Sequence, residues 1–163
     1  MLVGVGSGRV LLWEYTDGRR WSGSVAAEMY KGPVKDCLEK AYPGRSSWTL
    51  LEDNDHTSFR SKAGIKAKEE AGLNVLRIPK RSPQINMCDY ALWKAVEKRV
   101  RTQEKRFAPA LREPCLAFLK RLRRTALRLL CSFINSSLKN MRIRCQRLAA
   151  AKGGHFEEGG QHR

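Results

Sequence analysis

Two aspartates, Asp53 and Asp89, are the residues of this chain whose type and spacing are best suited to chemistry. Asp53 directly follows Trp48 to Glu52, a run that predicts a buried strand, and Asp89 lies 36 positions later, in the first turn of a predicted helix. Sheets in α/β folds place their sites at the carboxyl ends of strands. Carboxylate oxygens bind hard cations such as Mg²⁺, and a pair of such ions can promote phosphodiester cleavage. The two residues therefore predict metal-dependent phosphodiester chemistry.

Each aspartate taken alone also has a purely structural interpretation. Asp53 is as typical of a turn or a helix cap as of a metal ligand, because its short carboxylate bonds readily to nearby backbone N–H groups. Asp89 is typical of the negative charge that is favoured near a helix N-terminus. Their placement around a strand–helix–strand unit favours the paired interpretation modestly over these two.

The elements that must position the two aspartates form an α/β pattern in the first two thirds of the 163-residue chain. Apolar alternation and turn signals, including a hairpin signal at Asp17-Gly18, delimit short strands, and helical spacing delimits longer segments. The predicted strands are Arg9 to Tyr15, Arg19 to Gly23, Trp48 to Glu52 and Asn74 to Ile78. The predicted helices are Ser24 to Ala41 with a kink at Pro33, Ser58 or Ser61 to Ala71, and Asn86 to Arg106. Strand, helix and strand in succession imply a parallel pair with a crossover.

The positive charge is concentrated toward the C-terminus. The chain has 32 Lys and Arg against 16 Asp and Glu, and residues 94–147 hold 16 of the basic residues but only three acidic ones. So few acids cannot neutralise this region, which favours binding to phosphates. The alternatives are a solvated helix face with snorkelling side chains and a nuclear-localisation signal. The predicted nucleic-acid-binding residues are Lys120, Arg121, Arg123, Arg124 and Arg128.

After residue 107 the pattern is purely helical. Apolar residues at helical spacing lie opposite the basic cluster, and a second apolar stripe predicts a last helix that ends at Gly153-Gly154. The first stripe consists of Leu119, Leu122, Ala126 and Leu129, and the second of Leu138, Met141, Cys145 and Leu148.

Composition excludes several classes of protein. No uncharged run is long enough for a transmembrane helix, so no membrane partner is expected. The five cysteines form no Cys-x-x-Cys pair, which favours reduced thiols over a disulfide scaffold or a zinc site. An apolar fraction of 42% is high enough to exclude wholesale disorder. The remaining class is an intracellular globular protein with a polyanionic partner.

Two blocks of sequence resemble the DDE transposases of the mariner superfamily. The first is L-E-D-N-D at residues 51–55, and the second is I-P-K-R-S-P-Q-I-N-M-C-D-Y-A-L-W at residues 78–93. The resemblance extends over roughly residues 1–106. It implies that Asp53 and Asp89 are the second and third catalytic carboxylates, which bind Mg²⁺ or Mn²⁺ and act on DNA in the nucleus.

The resemblance also implies a fold and a domain organisation. The expected fold is a ribonuclease-H-like three-layer α/β core followed by basic α-helices. Residues 1–106 would be a transposase catalytic domain truncated at its N-terminus, residues 107–152 a basic helical extension, and residues 153–163 a flexible tail. A homodimer is also compatible with the sequence.

The departures from the family pattern concern the first catalytic carboxylate. No acid lies in Met1 to Arg9, where the first central strand would carry it, and Glu14 and Asp17 fall on the wrong element. Gln84 and Met87 replace the family's usual Asp and Pro. Without the central strand, the hairpin must pair elsewhere or the sheet must split and leave exposed edges. A missing carboxylate also leaves two-ion chemistry underligated.

These observations leave two functional hypotheses. The first is a remnant of a DNA transposase, a metal-dependent endonuclease by resemblance, whose catalysis is impaired by the missing aspartate. The second is a non-catalytic protein that binds DNA or RNA non-specifically through its basic helices. A chain that folds poorly and has no activity is the third outcome.

Overall fold

The computed structural model describes residues 1–53, 61–79, 82–104 and 115–154 of the chain. In these ranges it is a mixed α/β structure in which short strands precede and alternate with helices. The strands are β1 (Leu2–Gly6), β2 (Arg9–Glu14), β3 (Trp48–Glu52) and β4 (Leu73–Arg77). The helices are α1 (Gly23–Met29), α2 (Lys35–Ala41), α3 (Lys62–Glu70), α4 (Trp93–Glu104), α5 (Cys115–Leu127) and α6 (Cys131–Ala150). π-Helical turns at Tyr30–Val34 and Cys88–Leu92 and a 3₁₀ turn at Pro83–Ile85 complete it.

The N-terminal hairpin is formed by a pair of strands that begins earlier in the chain than the sequence predicts. The strand predicted at Arg9 to Tyr15 is confirmed as β2, but its antiparallel partner is β1 and not residues 19–23. Ser7 and Gly8, with φ of 46° and 72°, supply the two left-handed residues of a tight hairpin turn. The Asp17-Gly18 signal does produce a turn, but the chain then enters α1. The glycines of β1 interrupt its apolar alternation, which explains why the pattern did not predict it.

The first helix is confirmed, with the irregularity that its proline predicts. It begins after Ser22, whose hydroxyl accepts a hydrogen bond from the Val25 N–H at 3.3 Å. Pro33 lies within the π-helical turn that separates α1 from α2. Because proline lacks an N–H, the regular helical hydrogen bonding must change around it.

The strand–helix–strand unit is also confirmed. β3 and β4 pair in parallel, from Trp48 opposite Leu73 to Glu52 opposite Arg77, and α3 is the crossover. The Ser61 hydroxyl caps α3 by accepting from the Gly64 N–H at 2.9 Å. The alternative start at Ser58, the predicted helix end at Arg106 and residues 155–163 of the predicted tail lie outside the described residues.

The sheet is split. Among the described residues, β1 pairs only with β2, and β3 pairs only with β4, so there are two separate two-stranded sheets. β1 and β3 therefore each have one edge that no described strand covers. From the missing central strand, the sequence predicted either another partner for the hairpin or a split sheet, and the described residues show the split.

Two large apolar cores hold the parts together, with a smaller cluster of Ile78, Ile85 and Leu148. One contains Leu12 of β2, Tyr30, Trp48 and Leu73, and it packs α1, α2 and α3 against both sheets. The other packs α4, α5 and α6 against the opposite side of β2. Its buried members are Val10, Trp13, Met87, Leu92, Val96, Val100, Ala126, Leu129 and Ile134. The basic helices α5 and α6 therefore dock on the α/β part of the chain.

We expect Ile134→Ala to lower the free energy of unfolding by about 2–5 kcal/mol, because Ile134 of α6 is fully buried in the second core. Ile143→Ala is the matched control. It makes the same truncation in the same helix at a side chain that is 48% exposed, and we expect a change below about 0.5 kcal/mol. Urea unfolding measures both. Equal effects would contradict the docking of α6.

Candidate functional site

The structure brings Asp53 and Asp89 to one cavity. This cavity has a volume of about 510 Å³ and lies between the two sheets, with apolar residues of β1, β2, β3 and α2 along most of its wall. Asp53 and Asp89 both line it and are both exposed to solvent. The sequence-based pairing of the two carboxylates is therefore compatible with their positions.

Asp53 follows the last residue of β3, and a buried ion pair fixes this strand end. The Glu52 carboxylate accepts hydrogen bonds from the Tyr30 hydroxyl and from Lys68 Nζ. Lys68 is only 5% exposed, and its Nζ lies 4.6 Å from the centroid of the Tyr30 ring. Removing either ionic partner would leave the other as an uncompensated buried charge, which is strongly unfavourable. The contacts among Tyr30, Glu52 and Lys68 therefore fix the end of β3 and, with it, the position of Asp53.

Sequence reasoning did not find this ion pair, although a signal for it exists. Lys68 is in helical phase with Gly64, Ala67 and Ala71, the small residues on the buried face of α3. A lysine on such a face requires an anionic partner within reach. Glu52, the last residue of a predicted buried strand, was the candidate.

Asp89 lies in the π-helical turn Cys88–Leu92, which directly precedes α4. Its N–H donates to the Asn86 carbonyl at 2.9 Å, and the Asn86 side chain accepts from the Cys88 N–H at 3.1 Å. The Trp93 indole N–H donates to Asp89 Oδ1 at 3.2 Å. Trp93 in turn packs edge-to-face on Trp13 of β2, with 5.6 Å between ring centroids. The carboxylate is therefore oriented by a side chain that contacts the second core.

The C-terminal helix braces the segment that carries Asp89. The Tyr90 hydroxyl donates to the Ser137 carbonyl of α6 at 2.6 Å. Arg144 of α6 stacks over the Tyr90 ring at 4.0 Å and donates to the Gln84 carbonyl at 2.9 Å. A residue in the basic extension thus contributes to the position of a candidate catalytic residue.

The negative charges of Asp53 and Asp89 both affect the thiol of Cys88, which lines the cavity. Burial, then the negative charge of Asp89 and then that of Asp53 raise the pKa of the Cys88 thiol to about 12. A thiol with this pKa stays protonated at neutral pH and is a poor nucleophile. This environment therefore disfavours Cys88 as a nucleophile.

Among the described residues, Asp53 and Asp89 suit one loosely held cation. Across residues 1–53, 61–79, 82–104 and 115–154, no group of three or more His, Cys, Asp or Glu side chains could hold a metal ion. Mg²⁺ is commonly held by one or two carboxylates together with water and substrate phosphate, which suits Asp53 and Asp89. A pair of ions needs more ligands than these two side chains supply, so no two-ion step is derived for the described site.

Four of the five predicted nucleic-acid-binding residues lie together. Lys120, Arg123, Arg124 and Arg128 line a shallow groove of about 350 Å³ on α5, together with Leu127. No acidic residue is among the described residues that line this groove. Arg123 also donates to Glu14 of β2 at 3.0 Å, which offsets part of its charge.

Arg121 is not part of this groove. Its Nη2 donates to Glu104 of α4 at 3.3 Å, and its guanidinium lies 5.3 Å from the centre of the Phe118 ring. The side chain is 20% exposed and joins α5 to α4. Sequence reasoning grouped Arg121 with its neighbours because it is adjacent in the chain, but the helical turn directs it to another face.

Comparison with models of known protein families and with curated protein sequences finds no match for this chain. The resemblance of residues 1–106 to mariner-type transposases therefore stays a prediction from the sequence. Within the described part of the chain, none of the helices combines the length and the apolar character needed to cross a bilayer.

We expect Cys88 to resist alkylation at pH 8, because a thiol of pKa about 12 is roughly one ten-thousandth thiolate at that pH. The exposed thiols of Cys115, Cys131 and Cys145 should react first. Asp89→Asn removes one charge that raises this pKa and should speed the Cys88 reaction. Iodoacetamide labelling read by mass spectrometry across a pH series measures each rate.

The control for this experiment is Asp36→Asn, which removes an equal charge beside a different, half-buried thiol. Asp36 helps to raise the pKa of Cys37, so this variant should speed Cys37 and leave Cys88 unchanged. Labelling of Cys88 as fast as that of Cys115 would contradict the described burial.

Proposed function

We propose that this chain is a nucleic-acid-binding remnant of a DDE-type transposase. In this proposal α5 binds the phosphate backbone of the nucleic acid, and the carboxylate site is catalytically impaired. The observation that carries the binding part is the groove of Lys120, Arg123, Arg124 and Arg128, on one face of α5 and the turn that directly follows it. The family origin is supported by the motif blocks and by their placement on a strand–helix–strand unit whose two aspartates line one cavity.

The geometry of α5 suits a sugar–phosphate backbone. From Lys120 to Arg128 the helix rises by about 12 Å, since each residue adds about 1.5 Å. One strand of duplex DNA presents a phosphate about every 3.4 Å of helix axis, so the face spans roughly three to four phosphates. The net charge of +16 supports the same polyanionic partner at long range. These contacts read no base edges, so binding should be independent of sequence.

The catalytic part of the proposal follows from the donor set. An ancestral ribonuclease-H-like core would position three carboxylates to hold cations. Among the described lining residues the carboxylates are Asp53, Asp89 and Glu52, and Glu52 is already engaged by Lys68 and Tyr30. Phosphoryl transfer depends on positioned cations to stabilise the developing charge. With two carboxylates the chain keeps a weak cation site and loses efficient strand cleavage. DNA as the partner implies a nuclear location.

We expect Arg124→Gln with Arg128→Gln to weaken binding of a labelled DNA duplex about tenfold or more at low salt. Both guanidinium groups lie in the groove, and each lost phosphate contact should reduce the slope of log K against log salt by roughly one. Fluorescence anisotropy over a salt series measures affinity and slope together.

The matched control is Lys139→Gln with Arg142→Gln, which removes the same charge from exposed positions of α6. This double variant should lose far less affinity, with a slope close to that of the unchanged chain. If both double variants lose affinity equally, binding is due to net charge alone and the groove has no special role.

We expect no nicking of supercoiled plasmid by the chain in Mg²⁺ or Mn²⁺ above the level seen with Asp53→Ala. The physical reason is that, among the described residues of the cavity, Glu52 is engaged by Lys68, which leaves Asp53 and Asp89 to hold a cation. Agarose-gel conversion of supercoiled to open-circular plasmid measures it, with Asp17→Ala as a control outside the cavity. Metal-dependent nicking that Asp53→Ala and Asp89→Ala abolish, and Asp17→Ala does not, would show that the site is catalytically competent.

A further inference from the structure

The exposed face of α5 carries leucines as well as cations. The exposed residues at helical spacing along this face and the turn that follows it are Leu116, Ala117, Lys120, Arg123, Arg124, Leu127 and Arg128. Leu116 is 73% exposed and Leu127 is 44% exposed, and Leu127 lines the basic groove. Burying such aliphatic surface against a partner is favourable. The two leucines are therefore part of what this face presents to a partner.

Each of the two leucines continues a row of cations along the helix. Residues four apart are neighbours on a helix surface. Leu116 precedes Lys120 by four positions, and Leu127 follows Arg123 by four. From Leu116 to Leu127 the mixed face extends about 16 Å, since each residue adds about 1.5 Å. Apolar and cationic side chains thus lie side by side along the whole of this face.

The charge of the face restricts the kind of partner. Arg123 pairs with Glu14 at 3.0 Å, and no described acidic side chain forms an ion pair with Lys120, Arg124 or Arg128. Two copies of this face would repel each other, which excludes a symmetric dimer through it. A purely apolar partner would leave the cations without anions. The partner must instead combine negative charge with accessible apolar surface.

Single-stranded nucleic acid combines both properties. A duplex presents a high density of phosphate charge, but the faces of its bases are stacked inside the helix. In a single strand, unstacked bases can pack on apolar side chains and on the planes of arginine guanidinium groups. Three of the four cations of the groove are arginines, which stack on rings in addition to binding phosphate.

We infer that this face of α5 binds single-stranded nucleic acid in preference to duplex, with the cations on the phosphates and Leu116 and Leu127 against the bases. The inference rests on the proposed nucleic-acid binding and names the form of nucleic acid that the groove takes. Every base has an apolar face, so the preference concerns strandedness and not sequence.

The probes are three labelled DNAs of about 20 nucleotides per strand, which exceeds the roughly 4–16 nucleotides that one single-strand-binding fold covers. One is a thymidine strand, one is an abasic strand with the same phosphates and no bases, and one is a duplex. Anisotropy titrations at equal phosphate concentration should give the thymidine strand the highest affinity. The abasic strand should bind about fivefold more weakly or worse, because it offers phosphates without base faces.

The protein variant is Leu116→Ala with Leu127→Ala, which truncates both exposed leucines and keeps every charge. It should lose about threefold or more in affinity for the thymidine strand and less for the abasic strand. The matched control is Leu76→Ala with Ile143→Ala, which truncates two aliphatic side chains of 59% and 48% exposure outside the described groove lining. The control should keep the preference for the thymidine strand. Circular dichroism of both variants confirms that they are folded.

Three results with the oligonucleotides would overturn the inference. The thymidine and abasic strands bind equally, the duplex binds as tightly as the thymidine strand, or the preference for the thymidine strand survives the two leucine substitutions. Each of these results leaves binding of nucleic acid to the basic groove intact. Failure of all three oligonucleotides to bind would instead contradict the proposed function itself, and the inference with it.

A lipid surface is the other kind of partner that joins negative charge to apolar surface. The test for it uses vesicles of phosphatidylserine and phosphatidylcholine at the same concentration of negative charge as the thymidine strand. The inference predicts that the vesicles bind more weakly than the thymidine strand. Tighter binding to the vesicles that depends on Leu116 and Leu127 would overturn it and assign the face to a membrane surface.

Discussion

The division of the strands into two separate pairs, β1 with β2 and β3 with β4, is the constraint on which the rest of this structure depends. Polar backbone groups of a strand must bond to protein or to water. Because no described strand joins the two pairs, residues of β1, β2 and β3 line a cavity of about 510 Å³ between them. The two candidate carboxylates lie at this cavity. The position of the gap therefore decides where a site can form and what it can bind.

Side-chain packing replaces the missing pairing between the sheets. β2 contributes Leu12 to one apolar core and Val10 and Trp13 to the other, so one strand is held from both sides. The carboxylate positions are fixed by contacts that do not cross the gap. Glu52 is held by Tyr30 and Lys68, and the segment before α4 is braced by α6. A local ion pair and a docked helix can thus preserve a site whose central sheet is open.

Elements with strong local signals were predictable from the sequence. Trp48 to Glu52 has a compact apolar run, and Ser61 and Gly72 are specific start and stop residues, so β3 and α3 were predicted close to their observed bounds. β1 was missed because its glycines weaken the alternation. Its partner was misassigned because a turn signal such as Asp17-Gly18 marks a reversal without specifying which strands pair.

The part of the site that depends on local sequence signals was also predictable. Asp53 and Asp89 were placed by the strand–helix–strand pattern, and the structure brings both to one cavity. The Lys68–Glu52 ion pair and the divergence of Arg121 from its neighbours depend on tertiary contacts between distant residues. Sequence spacing alone does not determine such contacts, because they require knowing which faces of the helices are buried.

Hydrogen exchange of the individual backbone amides in β1 and β3, followed by NMR, tests the open sheet most directly. The account predicts alternation along both strands. Amides that bond to β2 or β4 should be protected, and the amides between them, which face the cavity, should exchange as solvent-exposed groups do. Uniform protection along both strands would contradict the account, because it would show that another strand fills the gap or that β1 and β3 pair with each other.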